Sequence, residues 1–552
     1  MWNEKSAMPY GVANECRRGL VRGMGYTEGE YNRPLVAVIN SWNEYNPGHV
    51  HLRALAERVK QGIREAGGLP FEMMTTGICD GMVLKSPRYI ELPSRNSIAD
   101  EVELIAEGNN FDAMVLLSTC DSIVPGHLMG CARLDIPALL VTGGYMPMPF
   151  LDGKYANYVE LTNHVGQTMQ GQYDKAKSQR EVERMYMPCG ACGVMTTANS
   201  MCLAAEAMGM ALPGNGTMPA NGSELLQLAY CAGQQIMWLL KNGITARKVI
   251  TREAIQNAIA LTIAMAGSSN LFMHLPAIAN EAGLHEKWWA EFDRASRAIP
   301  QIVAASPSGP YHLQQIDAAG GSRAILKNLL PVLQGNALTC TGRTLAENVA
   351  DAKVYDSEII RDLDHPVSRE GALFVLYGSL APDGAIIKTA ACPKELYQFR
   401  GPARCFDTLE AAFAALNANQ IQPGDACVLR YLGPKGAFGT TAYVFQKELL
   451  GRGLGKSCAI ITDGRYSGAT SGLSIGYLSP EAALGSPLAL VQDGDSIEID
   501  IEARRIDLQV PAEELARRKA AWSWIPDNAG VPPFLRLFRK NAGSLANGAI
   551  WE

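Results

Sequence analysis

The apolar positions of this 552-residue chain fall into two textures. Residues 35–68 open with an unbroken apolar run, "LVAVIN", pass through "SWNEYNPG" and continue as "HVHLRALAERVKQGIREAGG". In that last stretch Leu52, Leu55, Ala56, Val59 and Ile63 recur at helical spacing until Gly67-Gly68 ends the pattern, so strand, loop and helix are predicted. A second unit follows, with helix-like "RNSIADEVELIAEGNN", the strand "AMVLLS", a loop holding Cys120, and "IPALLVTGG" as another short buried strand. Strands that are apolar throughout and alternate with helices predict a parallel sheet covered on both faces. From residue 222 to 350 the pattern turns mostly helical, and the polar stretch "ADAKVYDSEIIRDLDHPVSREG" marks a domain boundary. Beyond it the chain reads as short strands between turns: "ALFVLYGSL", "GAIIKTAA", "DACVLRYLG", "SCAIITDG" and "LALVQDGDSIEIDIEARRIDLQV", the last a hairpin with Gly494-Asp495 as its turn signal. The predicted class is α/β, with an N-terminal parallel-sheet α/β domain over residues 1–360 and a C-terminal β-barrel-like domain over 361–552.

Composition narrows the functional classes. A net charge of -6 offers nucleic acid little to hold, and no apolar run reaches spanning length, because the longest uncharged stretch, Ile136 to Leu151, is broken by prolines and Gly143-Gly144. No nucleic-acid or membrane partner is expected. The N-terminus "MWNEKSAMPYGVANECRRG" has no apolar signal core, so a cytoplasmic location is expected. Thirteen cysteines are many for a reducing compartment, and a disulfide scaffold is improbable at this length. Cys427 and Cys458 lie in strand-like runs, and Cys202 and Cys231 on helical patterns where a small apolar residue packs well.

The remaining thiols carry the chemical question. In "MVLLSTCDSIVPGHLMG" a buried strand runs into Cys120-Asp121-Ser122 ahead of a Pro-Gly turn, and the carboxyl end of a parallel strand is where ligands bind. On this segment alone a plainer account also fits, a small buried Cys capped by an Asp. Two further segments set a Cys beside glycine and polar groups: "TTGICDGM" with Cys79-Asp80, and "MPCGACGVMTTANSM" with Cys189 and Cys192. One CxxC is too little for a structural zinc site, whereas thiolates gathered from separate loops suit an iron-sulfur cluster. Three ligands would leave one iron open, and the C-terminal domain should then bring a base. "ITDGRYSGATSGLSIGYLSPEA" is the candidate loop, with Ser467 as a base if a metal or positive charge activates it; a Gly/Ser-rich loop capping helices is the alternative. "GPKGAFG" looks like an anion-binding loop, weakly, and "HVH" reads as a helix start with one imidazole facing solvent, although His49 could reach an anionic substrate.

Together these segments resemble the dihydroxy-acid dehydratase and phosphogluconate dehydratase family along nearly the whole chain. The matching words are "PGHVHL" (47–52), "DG" (80–81), "LPSR" (92–95), "CD" with "IVPG" (120–126), "TANSM" (197–201), "LPGNG" (212–216), "RYLGPKG" (430–436) and "TDGRYSGATSGLSIG" with "LSPEA" (462–482). The resemblance implies dehydration of 2,3-dihydroxy carboxylic acids to 2-keto acids by an iron-sulfur cluster that binds the leaving 3-hydroxyl, a serine that takes the C2 proton, and Mg²⁺ at the carboxylate end. It implies Cys120 and Cys192 as cluster ligands, Cys79 or Cys189 as the third, and Ser467 as the base. Tyr45 and Asn46 stand in the region where 2Fe-2S members carry a Cys, which favours 4Fe-4S. Asp80 and Asp121 match Mg²⁺ ligands, while His49, Ser122, Lys435 and Thr470 are expected at the substrate. Three positions depart from the family: Ser122 replaces a lysine that is carbamylated to complete the metal site, Leu432 replaces a Glu, and Thr441-Ala442 stand near another metal-binding Glu. Losing anionic oxygens should weaken a hard-cation site. The expectation is therefore a hydro-lyase with a doubtful Mg²⁺ site and a non-standard substrate, the alternatives being an ordinary dihydroxy-acid or sugar-acid dehydratase and a non-catalytic paralogue. A homodimer or a dimer of dimers is implied by the resemblance alone.

Overall fold

The computed structural model describes residues 10–83, 90–156, 158–169 and 171–552; the first nine residues of the N-terminal segment discussed above lie outside them. Four parallel strands, β1 (Leu35–Asn40), β2 (Leu69–Met74), β3 (Ala113–Ser118) and β4 (Ala138–Thr142), form a sheet in the order β2-β1-β3-β4. Helices α1 (Leu52–Glu65), α2 (Glu91–Gly108) and α3 (Ile123–Leu134) connect them, and α4 (Thr197–Ala207), α5 (Ser223–Asn242), α6 (Arg252–Ala264) and α7 (Leu271–Glu281) complete the N-terminal layers. Alternation along β1 feeds two cores: Val36 and Val38 pack with α1 and α5, while Ala37 and Ile39 pack with α2, α3 and α4. The α1–α5 contact is backbone-close, since a Cβ on Gly62 would stand 2.1 Å from the Tyr230 carbonyl and one on Gly233 2.1 Å from that of Val59.

The C-terminal strands β5 (Leu373–Leu376), β6 (Gly384–Lys388), β7 (Gln398–Phe406), β8 (Ala426–Leu429), β9 (Ala459–Thr462), β10 (Leu473–Ser479), β11 (Ser496–Asp500) and β12 (Arg505–Leu508) form one mixed sheet, ordered β12-β11-β7-β8-β9-β10-β6-β5. A bridge between Tyr377 and Arg505 joins its two edges into a nearly closed barrel. Helix α8 (Pro533–Asn541) then returns to the N-terminal domain, where Leu535 and Phe538 enter the same core as α7.

Four local expectations are corrected. Pro125-Gly126 is no turn: both lie in the first turns of α3, where a proline's missing N–H is not needed. The hairpin turns at 501–504, with Arg504 left-handed at φ 56°, whereas Gly494-Asp495 precedes β11 and "LALV" is part of a short helix, Pro487–Leu490. Cys231 is exposed on α5. Neither imidazole of "HVH" faces solvent, because each is tied to a main-chain carbonyl, His49 Nδ1 to Ser41 at 2.7 Å and His51 Nε2 to Gly143 at 2.6 Å.

Candidate active site

The carboxyl ends of the parallel strands converge, as open α/β sheets dictate for ligand sites. The loop after β1 brings Asn46, Gly48 and His49; the loop after β2 brings Cys79-Asp80; β3 runs into Cys120-Asp121. Cys192 arrives indirectly: the Gly144–Met146 segment after β4 pairs with Ala191, the Met146 N–H donating at 2.6 Å to the Ala191 carbonyl and the Ala191 N–H at 2.9 Å to that of Gly144.

Cys79 and Cys120 are in side-chain contact, and Cys192 lies within electrostatic reach of both. The Cys79 thiol is pulled below the usual cysteine range by Cys120, with the Met82 and Gly81 N–H groups adding to the effect. Cys120 is pushed up by the same contact and by burial. Burial, Cys79 and the carboxylates of Asp121 and Asp80 raise Cys192 to about 12. Cys189 stands apart, half-buried at φ 57° and raised by burial alone. Behind Cys120, the buried His49 accepts from its N–H at 3.3 Å through Nε2 and bonds Ser41 through Nδ1, so the ring is the Nδ1–H tautomer; burial holds it near 4 and hence neutral. With both ring nitrogens engaged, His49 buttresses the Cys120 loop, contrary to the expectation that it reaches substrate. A Cβ on Gly48 would stand 2.6 Å from Cys120 Sγ, so the glycine leaves room beside the thiol.

The carboxylates gather on the same side. Asp121 is raised well above the ordinary range by burial and by the charges of Asp80 and Glu91, an effect that Thr197 nearby offsets in part. Ser122 Oγ donates to Glu91, and Arg465 Nη2 donates to the other Glu91 oxygen at 2.6 Å. Leu432 and Ala442 are buried apolar residues, so neither adds an anion. Among the described residues no three His, Cys, Asp or Glu side chains converge on a single ion. Thiolates that bind different irons of one cluster stand farther apart than ligands of one ion, and two carboxylates with waters suit Mg²⁺.

Ser467 leaves the carboxyl end of β9 and is half-buried, its Oγ accepting from the Ala469 N–H at 3.3 Å. Its loop rests on the N-terminal domain: a Cβ on Gly468 would lie 2.9 Å from Thr196 Cα, four residues beyond Cys192. Buried Lys388 donates to the Gly468 carbonyl at 3.1 Å, and burial lowers its amine to about 7. Thr470 Oγ1 is buried without a protein partner. In "GPKGAFG" the backbone N–H groups of Lys435 and Gly436 bind the buried Glu481 carboxylate at 3.0 and 3.1 Å, so the anion of that loop is internal. Sequence reading missed Glu91, Arg465 and Lys388, together with Tyr186 and Tyr443, whose phenols are raised by burial and by charges that include Cys192. Arg465 stood inside a quoted motif, but its partner lies 374 residues away.

Comparison with known proteins now decides the family. The family model described as "Dihydroxy-acid/6-phosphogluconate dehydratase N-terminal" matches residues 33–348, and the corresponding C-terminal model matches 358–549. The chain belongs to the dihydroxy-acid/6-phosphogluconate dehydratase family. It is 44% identical over 551 residues to a dihydroxy-acid dehydratase of Moorella thermoacetica, covering 99% of both chains. The dihydroxy-acid dehydratase of Clostridium novyi is 44% identical over 98% of this chain and 99% of its own, and dihydroxy-acid dehydratase 1 of Methanosarcina acetivorans is 41% identical over 98% of each. The chain is thus a hydro-lyase, which sets aside the non-catalytic paralogue. The non-standard substrate finds no support among these relatives, whose names favour the ordinary dehydratase. No helix among the described residues is long and apolar enough to cross a membrane.

Proposed function

We propose that this protein is an ordinary dihydroxy-acid dehydratase, converting a branched-chain 2,3-dihydroxy acid to the 2-keto acid and water. The observation that carries the reading is sequence identity of 41–44% over essentially the whole chain to relatives of that name. Cys79, Cys120 and Cys192 would hold a 4Fe-4S cluster, the donor chemistry fitting three thiolates in a glycine-walled cradle. That cluster, when bound, supplies a Lewis-acidic iron for the 3-hydroxyl. Asp80 and Asp121 would hold Mg²⁺ with water in its remaining positions.

The chain's own part is proton handling and orientation. Ser467 Oγ, deprotonated, takes the C2 proton; the C2–H electron pair becomes the C2–C3 double bond as the C3–O bond breaks, and the departing hydroxide takes the proton that Ser467 has gained and leaves as water. The enol then takes a proton at C3 as its O–H proton leaves, and becomes the keto acid. Unpartnered Thr470 Oγ1 is available to a substrate oxygen. The reading carries with it a cytoplasmic location and a homodimer or dimer of dimers.

The test is anaerobic purification, iron and sulfide analysis, and assay of 2-keto acid from a panel of 2,3-dihydroxy acids with and without Mg²⁺. Turnover of branched-chain members with Mg²⁺ supports the reading; an inert panel on cluster-loaded protein overturns it. Ser467→Ala should retain the cluster absorbance and lose at least about a thousandfold in kcat.

A further inference from the structure

Glu91 opens α2, and its carboxylate lies wholly inside the protein, 2% exposed on the side chain and matched by Arg465, also at 2%. A helix N-terminus suits a carboxylate, but this one points across the domain boundary. Arg465, two residues before Ser467, is held on three sides: Nη2 on Glu91 at 2.6 Å, Nε on the Gly439 carbonyl at 2.7 Å, and Nη1 on Asn270 Oδ1 at 3.5 Å. Asn270 continues inward, its Nδ2 donating at 2.9 Å to Thr197 Oγ1, which also bonds Ser268 Oγ at 2.8 Å. Ser122, which follows Asp121, donates to Glu91, so one chain of buried contacts runs through Ser122, Glu91, Arg465, Asn270 and Thr197. A buried polar chain with every member engaged is rigid, and a rigid frame keeps a reacting group within reach of its target.

We propose that Glu91 is a positioning residue for Ser467: held by Ser122, it anchors Arg465 across the domain boundary and so sets the Ser467 turn against the Cys192 loop. The inference rests on the reading of Ser467 as the base. It also assigns a task to Ser122, whose hydroxyl orients Glu91. Glu91→Gln keeps the shape and, with its amide N–H turned to the Ser122 oxygen, its hydrogen bonds, but it replaces the carboxylate opposite Arg465 with a neutral carbonyl and so removes the ion pair that anchors the guanidinium.

Glu91→Gln, Ser122→Ala and Ser467→Ala are compared with wild type, all cluster-loaded, on 2,3-dihydroxy-3-methylbutanoate and on its C2-deuterated form. Misplacing a base by about 1 Å costs on the order of 100-fold, so Glu91→Gln should lower kcat by about that factor while KM stays within about threefold. The deuterium isotope effect on kcat should rise, because proton removal becomes rate-limiting, and cluster absorbance should match wild type. Ser122→Ala, which leaves the ion pair intact, should move kcat and the isotope effect the same way by a smaller factor; it also serves should Glu91→Gln fail to fold. Unchanged kcat and isotope effect in the folded variants, or a rise in KM alone, overturns the proposal. If Ser467→Ala itself still turns over substrate, the base reading fails and the proposal with it; if Ser467→Ala is dead and the other two are normal, only the positioning role fails.

Discussion

At Gly48 the space beside a thiol is set by one hydrogen atom. A Cβ there would meet Cys120 Sγ at 2.6 Å and Asn46 Oδ1 at 3.2 Å. A free sulfur can swing away from such a contact, but one fixed in a cluster cannot, and Cys120 is further held by the His49 bond to its N–H. Gly48→Ala should therefore reduce iron and sulfide per chain, with activity falling in proportion and the turnover per intact cluster near wild type. Full cluster content in that variant would mean that Cys120 is not a ligand. The same residue scale explains what the sequence left dark. The placing of Cys120-Asp121 at a strand end was legible because the apolar run of β3 leads straight to it. That Cys79 rather than Cys189 stands beside Cys120 was not legible, since it depends on how loops far apart in sequence fold together.

Elements were readable where periodicity is strong, as in β1 with α1 and in β5, β6, β8 and β9, whereas β7 and β10, the latter inside a Gly/Ser-rich stretch read as a loop, were missed, and motifs were misread where the partner is distant. "GPKGAFG" has the glycines of an anion-binding loop, yet its anion is Glu481, 46 residues on, and Asp463 similarly accepts from the N–H groups of Tyr431, Leu432 and Ala482 at 2.8–3.1 Å. These two carboxylates lash the loops after β8, β9 and β10 together. Burial and its neighbour Asp463 raise Glu481 to about 8, and burial raises Asp463 to about 6, in spite of the N–H donors. A carboxyl whose folded pKa exceeds its unfolded value binds more proton when folded, so stability falls as pH rises from the unfolded value toward the folded one. For Glu481 that window runs from 4.5 to about 8. The unfolding midpoint of wild type should drop between pH 5.5 and 8.5 more steeply than that of Glu481→Gln, which cannot ionise. Equal slopes for the two proteins would show that the N–H donors keep Glu481 charged throughout.

Barrel and N-terminal domain also meet away from the site, at buried Arg504 on Asp293 and Ser296 and at the C-terminal segment. That segment returns from the barrel to the N-terminal domain. Leu535, Phe538, Leu545 and Ala549 sit in the same core as Phe272 and Ile278, while Arg539 Nη2 donates to the Gly436 carbonyl at 2.8 Å on the barrel side. Buried Arg95 donates to the Gly548 and Ala549 carbonyls, to Asn96 and toward His274. Burial and Arg465 lower its pKa only to about 9, so it is charged at neutral pH and depends on those carbonyls. Three large buried side chains at about 1.5–3 kcal/mol each, plus about 3–5 kcal/mol for a buried charge left unpartnered, reach the order of a domain's entire stability of about 5–15 kcal/mol. Deleting residues 531–552 should therefore yield chains that neither stay soluble nor retain iron and sulfide, although no proposed cluster, metal or base residue is removed. Arg95→Met in the full-length chain separates the two contributions: it removes the charge and keeps the apolar contacts, so it should fold and load its cluster with a modest change in unfolding midpoint. A truncated chain that still folded and held the cluster would mean that the N-terminal core closes without the returning helix.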